Sequence, residues 1–141
     1  MKYLILLVAS LFICGCATSP VSSSSASVVP SDRLLSGYAP LSSPAPGKVK
    51  ITIVRDSGML GAAVPAKLSI EGADVAKFRR SERLDLYLDP ASYIFGLEPS
   101  PRLAGALVEA TFENKPGKDY YFRISDSGDG HFVLQPSTHL N

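Results

Sequence analysis

Arg83-Leu84-Asp85-Leu86-Tyr87-Leu88-Asp89-Pro90 is the stretch that decides the fold. In an extended chain successive side chains point to opposite faces. Leu84, Leu86 and Leu88 therefore line one face, while Arg83, Asp85, Tyr87 and Asp89 line the other. Strict alternation of this kind marks a strand with one side in a core and one side in water. Pro90-Ala91-Ser92 closes it with turn chemistry.

The same two-residue period recurs on both sides of this strand. Val49, Ile51 and Ile53 alternate with Lys48, Lys50 and Thr52; Ala66, Leu68 and Ile70 alternate with Lys67, Ser69 and Glu71. Downstream, Tyr93, Phe95 and Leu97 form one apolar set. Ala106, Val108, Ala110 and Phe112 form a second, Tyr120, Phe122 and Ile124 a third, and Phe132 and Leu134 end the series. Between the runs stand Glu71-Gly72, Asn114-Lys115-Pro116-Gly117 and Ser125-Asp126-Ser127-Gly128-Asp129-Gly130, all turn-forming. Short strands at this spacing predict an all-β antiparallel sandwich of about seven or eight strands over residues 48–135, with 136–141 as a tail. Two stretches stay open between strand and helix: Ala73 to Arg83, with Val75 and Phe78 three apart, and the Ala- and Leu-rich Pro101 to Ala110.

Residues 16–47 read differently. Ser22 to Ser25 are consecutive and prolines stand at Pro20, Pro30, Pro40, Pro44 and Pro46. So little apolar surface predicts a disordered linker, which as a flexible coil reaches roughly 30 Å. Ser31-Asp32-Arg33-Leu34-Leu35 departs from this composition, through either a capped helical turn or leucines docked on the domain.

Residues 1–15 read as an export signal: Lys2 is the positive end and Tyr3 to Ile13 the apolar stretch. That stretch is shorter than the ~20 apolar residues a spanning helix needs. Ile13-Cys14-Gly15-Cys16 resembles the lipobox of bacterial lipoproteins, which implies cleavage before Cys16 and covalent lipid on its thiol. Ala17, in place of aspartate, implies by the same resemblance the outer membrane, facing the periplasm. Cys14 would leave with the signal, so no disulfide within one mature chain is expected, and the core alone must hold the fold.

The charges nearly balance, with 14 Lys and Arg against 13 Asp and Glu, and no basic footprint for nucleic acid stands out. Lys77, Arg79, Arg80 and Arg83 form a local cluster that reads first as a solvated strand and turn, and second as a contact for phospholipid or lipopolysaccharide phosphates. Ser57 lacks the Gly-x that precedes the serine of a nucleophile elbow. Asp85 and Asp89 lie about 13 Å apart along a strand, too far for paired-carboxylate glycoside hydrolysis. Asp126, Asp129 and His131 offer too few ligands for calcium or zinc, and His139 stands alone near the C-terminus. No catalytic residue, metal or cofactor is expected, apart from the covalent lipid. Tyr87 and Tyr121, on outward strand faces, are candidate partner contacts, as are Arg79 and Arg80; the alternative for the tyrosines is a cross-strand pair or a place beneath the Pro99-Ser100-Pro101 loop.

Three segments carry a resemblance to small bacterial lipoproteins of unknown function with a transthyretin-like (prealbumin-like) β-sandwich. They are Val54-Arg55-Asp56-Ser57-Gly58 with Gly61, Leu86-Tyr87-Leu88-Asp89-Pro90 before Tyr93, and Gly117-Lys118-Asp119-Tyr120-Tyr121-Phe122-Arg123. The resemblance implies fold and location, and transfers no catalytic residue. The expected role is a non-enzymatic binding or accessory module with an envelope protein as partner. Contacts would be made by a sheet edge or the loops at 56–64 and 98–105. The alternatives are a structural adaptor of a secretion or envelope machine, and a small periplasmic hydrolase or inhibitor.

Overall fold

The computed structural model describes residues 18–58, 62–102, 105–127 and 129–138. The export signal 1–15, Cys16, Gly61 and His139 lie outside the described residues. Nine strands are present among the described residues: β1 (Ser27–Val28), β2 (Val49–Arg55), β3 (Ala66–Ile70), β4 (Ala73–Phe78), β5 (Glu82–Leu88), β6 (Ser92–Pro99), β7 (Val108–Glu113), β8 (Tyr120–Asp126) and β9 (Phe132–Pro136). They build a five-stranded sheet in the order β1-β5-β2-β8-β9 and a four-stranded sheet in the order β4-β3-β6-β7. The protein is all-β, as the alternation predicts.

The inward sets of both sheets meet in one core. Ile51 and Ile53 of β2, Leu84, Leu86 and Leu88 of β5, and Phe122 and Ile124 of β8 belong to it. So do Leu68 of β3, Val75 and Phe78 of β4, and Phe95 and Leu97 of β6. Full burial of each such side chain contributes about 1.5–3 kcal/mol. Toward the β7/β9 side the core becomes aromatic: Phe95 stacks on Phe122 at 5.9 Å, and Phe112 meets Phe122 edge-on at 4.6 Å.

The sandwich is mixed rather than purely antiparallel, because β2 pairs with β8, and β1 with β5, in parallel. Tight hairpins force antiparallel pairing only between strands they join, and β2 and β8 are separated by five intervening strands. Ala73 to Arg83 resolves as strand, turn and strand. Glu71 (φ 50°) and Gly72 (φ 76°) form the two-residue hairpin loop that starts β4, and this tight reversal against β3 outweighs helix propensity. Within Pro101 to Ala110, strand β7 begins only at Val108, later than the alternation suggests. The start of the expected tail is part of the sheet: Pro136 ends β9, and the Ser137 N–H donates to the Tyr121 carbonyl at 2.8 Å.

The largest departure concerns the segment expected to be a disordered linker, which from Thr18 to Gly47 is a strap on the sandwich. Ser19 and Ser57 exchange backbone hydrogen bonds at 2.7 and 3.0 Å. Val21 and Ala26 then pack with Val54 and Tyr121 on the outer face of the five-stranded sheet. β1 pairs along β5, and Val29, 2% exposed, enters the main core. After a 3-10 turn at Ser31–Arg33, the Leu35 N–H donates to Val75 O at 2.8 Å and the Gly37 N–H to Asp74 O at 2.9 Å, along the free side of β4. Leu34, Tyr38 and Leu41 pack against the core. Arg33 holds the carboxylate of Glu82 with both terminal guanidinium nitrogens, Nη1 and Nη2. The reason is an edge problem: β4 and β5 end their sheets on one side, and unpaired strand edges need partners. Sparse apolar residues suffice when each meets a gap between two finished sheets.

Candidate binding cleft

The strand registers define two poles. At one pole lie the Ser19–Ser57 bridge and the β2–β3, β4–β5, β6–β7 and β8–β9 connections. At the other lie the start of β2, the β3–β4 hairpin and the β5–β6 and β7–β8 turns. A cleft of about 210 Å³ opens at the second pole, where the end of the strap meets both sheets.

Its walls come from four places. The strap supplies Pro40 and Leu41 from a 3-10 turn (Ala39–Leu41) closed by the Leu41 N–H on the Tyr38 carbonyl at 2.8 Å. Ile70 comes from the end of β3, Tyr87 and Leu88 from β5, and Tyr93 from β6. The polar groups at the mouth hold the walls. The Tyr93 hydroxyl donates to Asp89 O at 3.1 Å, Glu71 Oε1 accepts the Ile94 N–H at 2.6 Å, and Lys48 Nζ donates to Pro40 O at 3.4 Å. Burial, and then the charges of Asp89 and Glu71, push the Tyr93 phenol above its ordinary value, so it stays a neutral hydrogen-bonding group. The lining holds no serine, threonine, cysteine or histidine. Such a surface holds an apolar or aromatic group and orients it at the rim.

Of the four partner-contact candidates from sequence, Tyr87 lies in this cleft and Tyr121, Arg79 and Arg80 do not. Tyr121 shares the outer face of the same sheet but packs beneath the strap with Val54. Between the two tyrosines, Lys50 pairs with Asp85 at 3.1 Å, and Asp85 also accepts from Thr52 Oγ1 at 2.8 Å. Burial pulls the Lys50 ammonium down, but the hydrogen bond and charge of Asp85 outweigh it and hold the pKa above the ordinary value. Asp89 sits beyond the end of β5, at the cleft mouth.

Arg79 and Arg80 are exposed at the opposite pole, in the β4–β5 turn. The loops expected to make contacts, 56–64 and 98–105, fall at that pole too, and residues 59–61 and 103–104 are outside the description. There the Ser57 hydroxyl donates to Ser19 O at 3.2 Å, so it serves the strap. Asp56, 4% exposed, is held by Arg123 with two hydrogen bonds. Arg55 is buried and donates to Val64 O at 2.9 Å and Phe78 O at 2.7 Å, with its guanidinium 4.6 Å from the Phe132 ring centre. Burial lowers its pKa to about 10, which leaves it cationic at neutral pH. Asp129 accepts from Ser127 Oγ and from the His131 N–H, which shapes the β8–β9 turn. Among the described residues, no three of His, Cys, Asp and Glu converge as metal ligands.

The strap's contribution, Pro40 and Leu41, was not legible as a site because that stretch reads as linker. The signal available was Tyr38-Ala39-Pro40-Leu41, an apolar patch amid serines. A second, wider hollow of about 600 Å³ runs beside β8, past Tyr121, Arg123 and Ser137; it is shallower and more polar. Among the described residues, no helix is long and apolar enough to cross a membrane. No family model, no curated protein and no solved structure matches the chain.

Proposed function

We propose that the protein is a lipid-anchored envelope lipoprotein, attached through Cys16 to the outer membrane and facing the periplasm. It acts as a non-enzymatic binding or accessory module for another envelope protein. The observation that carries the binding reading is the cleft at the pole away from Ser57. Its volume of about 210 Å³ falls below the ~300–1,000 Å³ usual for small-molecule sites and suits one large side chain. Apolar walls with two tyrosines match the pockets that take the anchor residue of a protein interface. We also read the sandwich as transthyretin-like. Support comes from strand order: without the strap's β1, the remaining eight strands form two four-stranded sheets, β5-β2-β8-β9 and β4-β3-β6-β7.

A photo-crosslinking phenylalanine analogue at position 87, in whole cells, tests the binding role. One discrete protein adduct is expected, and Leu41→Glu, which places a charge in the cleft, removes it. No adduct, or an adduct indifferent to Leu41→Glu, refutes the reading.

A further inference from the structure

We propose that the domain sits directly on the membrane, with the pole carrying Arg79 and Arg80 against anionic phospholipid headgroups and the cleft pointing away. This rests on the lipid-anchor reading above and adds an orientation to it. The first observation is the Ser19–Ser57 bridge, which ties the chain to the end of β2 by two backbone hydrogen bonds. Thr18 also lies against Gly58: a methyl-sized Cβ placed on that glycine would be 3.3 Å from Thr18 Cα. Cys16 precedes Thr18 by two residues, and two residues span at most about 7 Å. A lipid on Cys16 therefore has a spacer of at most two residues, which keeps the bridge within reach of the leaflet and leaves the arginines to seat the domain on it.

The second observation is independent of the first. Arg80 lines the same small space as Thr18, Asp56 and Ser57. Arg79 and Arg80 are both exposed, in a turn whose Ser81 has φ 59°. Neither guanidinium has an ion-pair partner among the described residues, whereas Arg33, Arg102 and Arg123 all hold carboxylates. Of the acids at this pole, Asp56 is taken up by Arg123, Glu82 by Arg33, and Glu98 by Lys67 and Arg102, while Asp126, which lines the same space as Arg80, puts its charge on buried Arg55. Asp129 is held by the turn around Ser127. Two uncommitted cations thus stand where the anchor brings lipid phosphate. The length of β2, six residue steps from Arg55 to Val49 or about 20 Å at ~3.3 Å per step, separates the bridge from the cleft.

The test uses the lipidated mature protein in vesicles of phosphatidylethanolamine and phosphatidylglycerol that carry a headgroup quencher. A fluorophore is placed at Ala63→Cys, in the β2–β3 connection, or at Ala91→Cys, in the turn after β5; both positions are exposed. Quenching at position 63 and none at 91 is expected. Each arginine near an anionic surface contributes about fivefold, so Arg79→Gln with Arg80→Gln lowers the seated-to-unseated ratio about 30-fold and quenching is lost. Phosphatidylcholine in place of phosphatidylglycerol has the same effect. Equal quenching at both positions, or quenching at 63 that survives the double substitution, overturns the seating while the anchor stands. The anchor is read separately: palmitate labelling of wild type that Cys16→Ala leaves unchanged overturns both.

Discussion

Shortening Val29 and Leu34 together is the sharpest test of the strap as part of the fold. Val29 is 2% exposed in the main core, and its N–H donates to Arg83 O at 2.9 Å, a bond that truncation to alanine keeps. Val29→Ala removes two buried carbons at about 0.8 kcal/mol each, plus a cavity contribution, for a loss of about 2 kcal/mol. Leu34 packs on the same core but is only half-buried, so Leu34→Ala adds about 1 kcal/mol. The double variant should lose about 3 kcal/mol, which for a domain of this size lowers Tm by roughly 10 °C. Val28, next in sequence and 60% exposed, is the control; Val28→Ala should stay within about 0.5 kcal/mol. Urea and thermal unfolding of the unlipidated Cys16→Ser chain, followed by circular dichroism and tyrosine fluorescence, reads all three. The chain has six tyrosines and no tryptophan. A loss below about 0.5 kcal/mol in the double variant would mean that the strap is dispensable and the docking argument wrong.

Two further expectations follow from the ion pairs. Asp56→Ala strands Arg123 beside a buried site, and a loss of about 3 kcal/mol in urea unfolding is expected; a change below about 1 kcal/mol would show that the pair is not needed. Glu98 is held below its usual carboxylate value by hydrogen bonds first from Lys67 and then from Arg102. Its contribution is therefore complete above the unfolded-state pKa and disappears as pH falls through the depressed folded value. The stability gap between wild type and Glu98→Gln should be widest near neutral pH and close in acid; a gap of constant size from about pH 7 to about pH 3 contradicts this.

The strands were legible because a half-buried strand writes its environment into every second residue. Val49 to Ile53, Leu84 to Leu88 and Tyr120 to Ile124 each appear in the structure with the predicted face inward. The Glu71-Gly72 turn was equally plain, since a two-residue hairpin favours residues that tolerate positive φ. Tyr87 was recognisable as an outward aromatic. Its companions in the cleft were not, because Pro40 and Leu41 acquire meaning only against Ile70 and Tyr93 from other elements. Arg55 continues the inward set of Val49, Ile51 and Ile53, but a cation there acquires its role only from what surrounds it. Here the neighbouring loop and strand carbonyls of Val64 and Phe78 make burial tolerable.

Local residue order by itself determined an all-β chain, the positions of its main strands and the turns between them, since period and turn chemistry act within a few residues. Only the tertiary structure decided that the Ser- and Pro-rich segment is a strap, that β2 and β8 run parallel, and that cleft and arginines occupy opposite ends. Those features depend on which edges and gaps remain after the two sheets have packed, and that is a property of distant segments brought together.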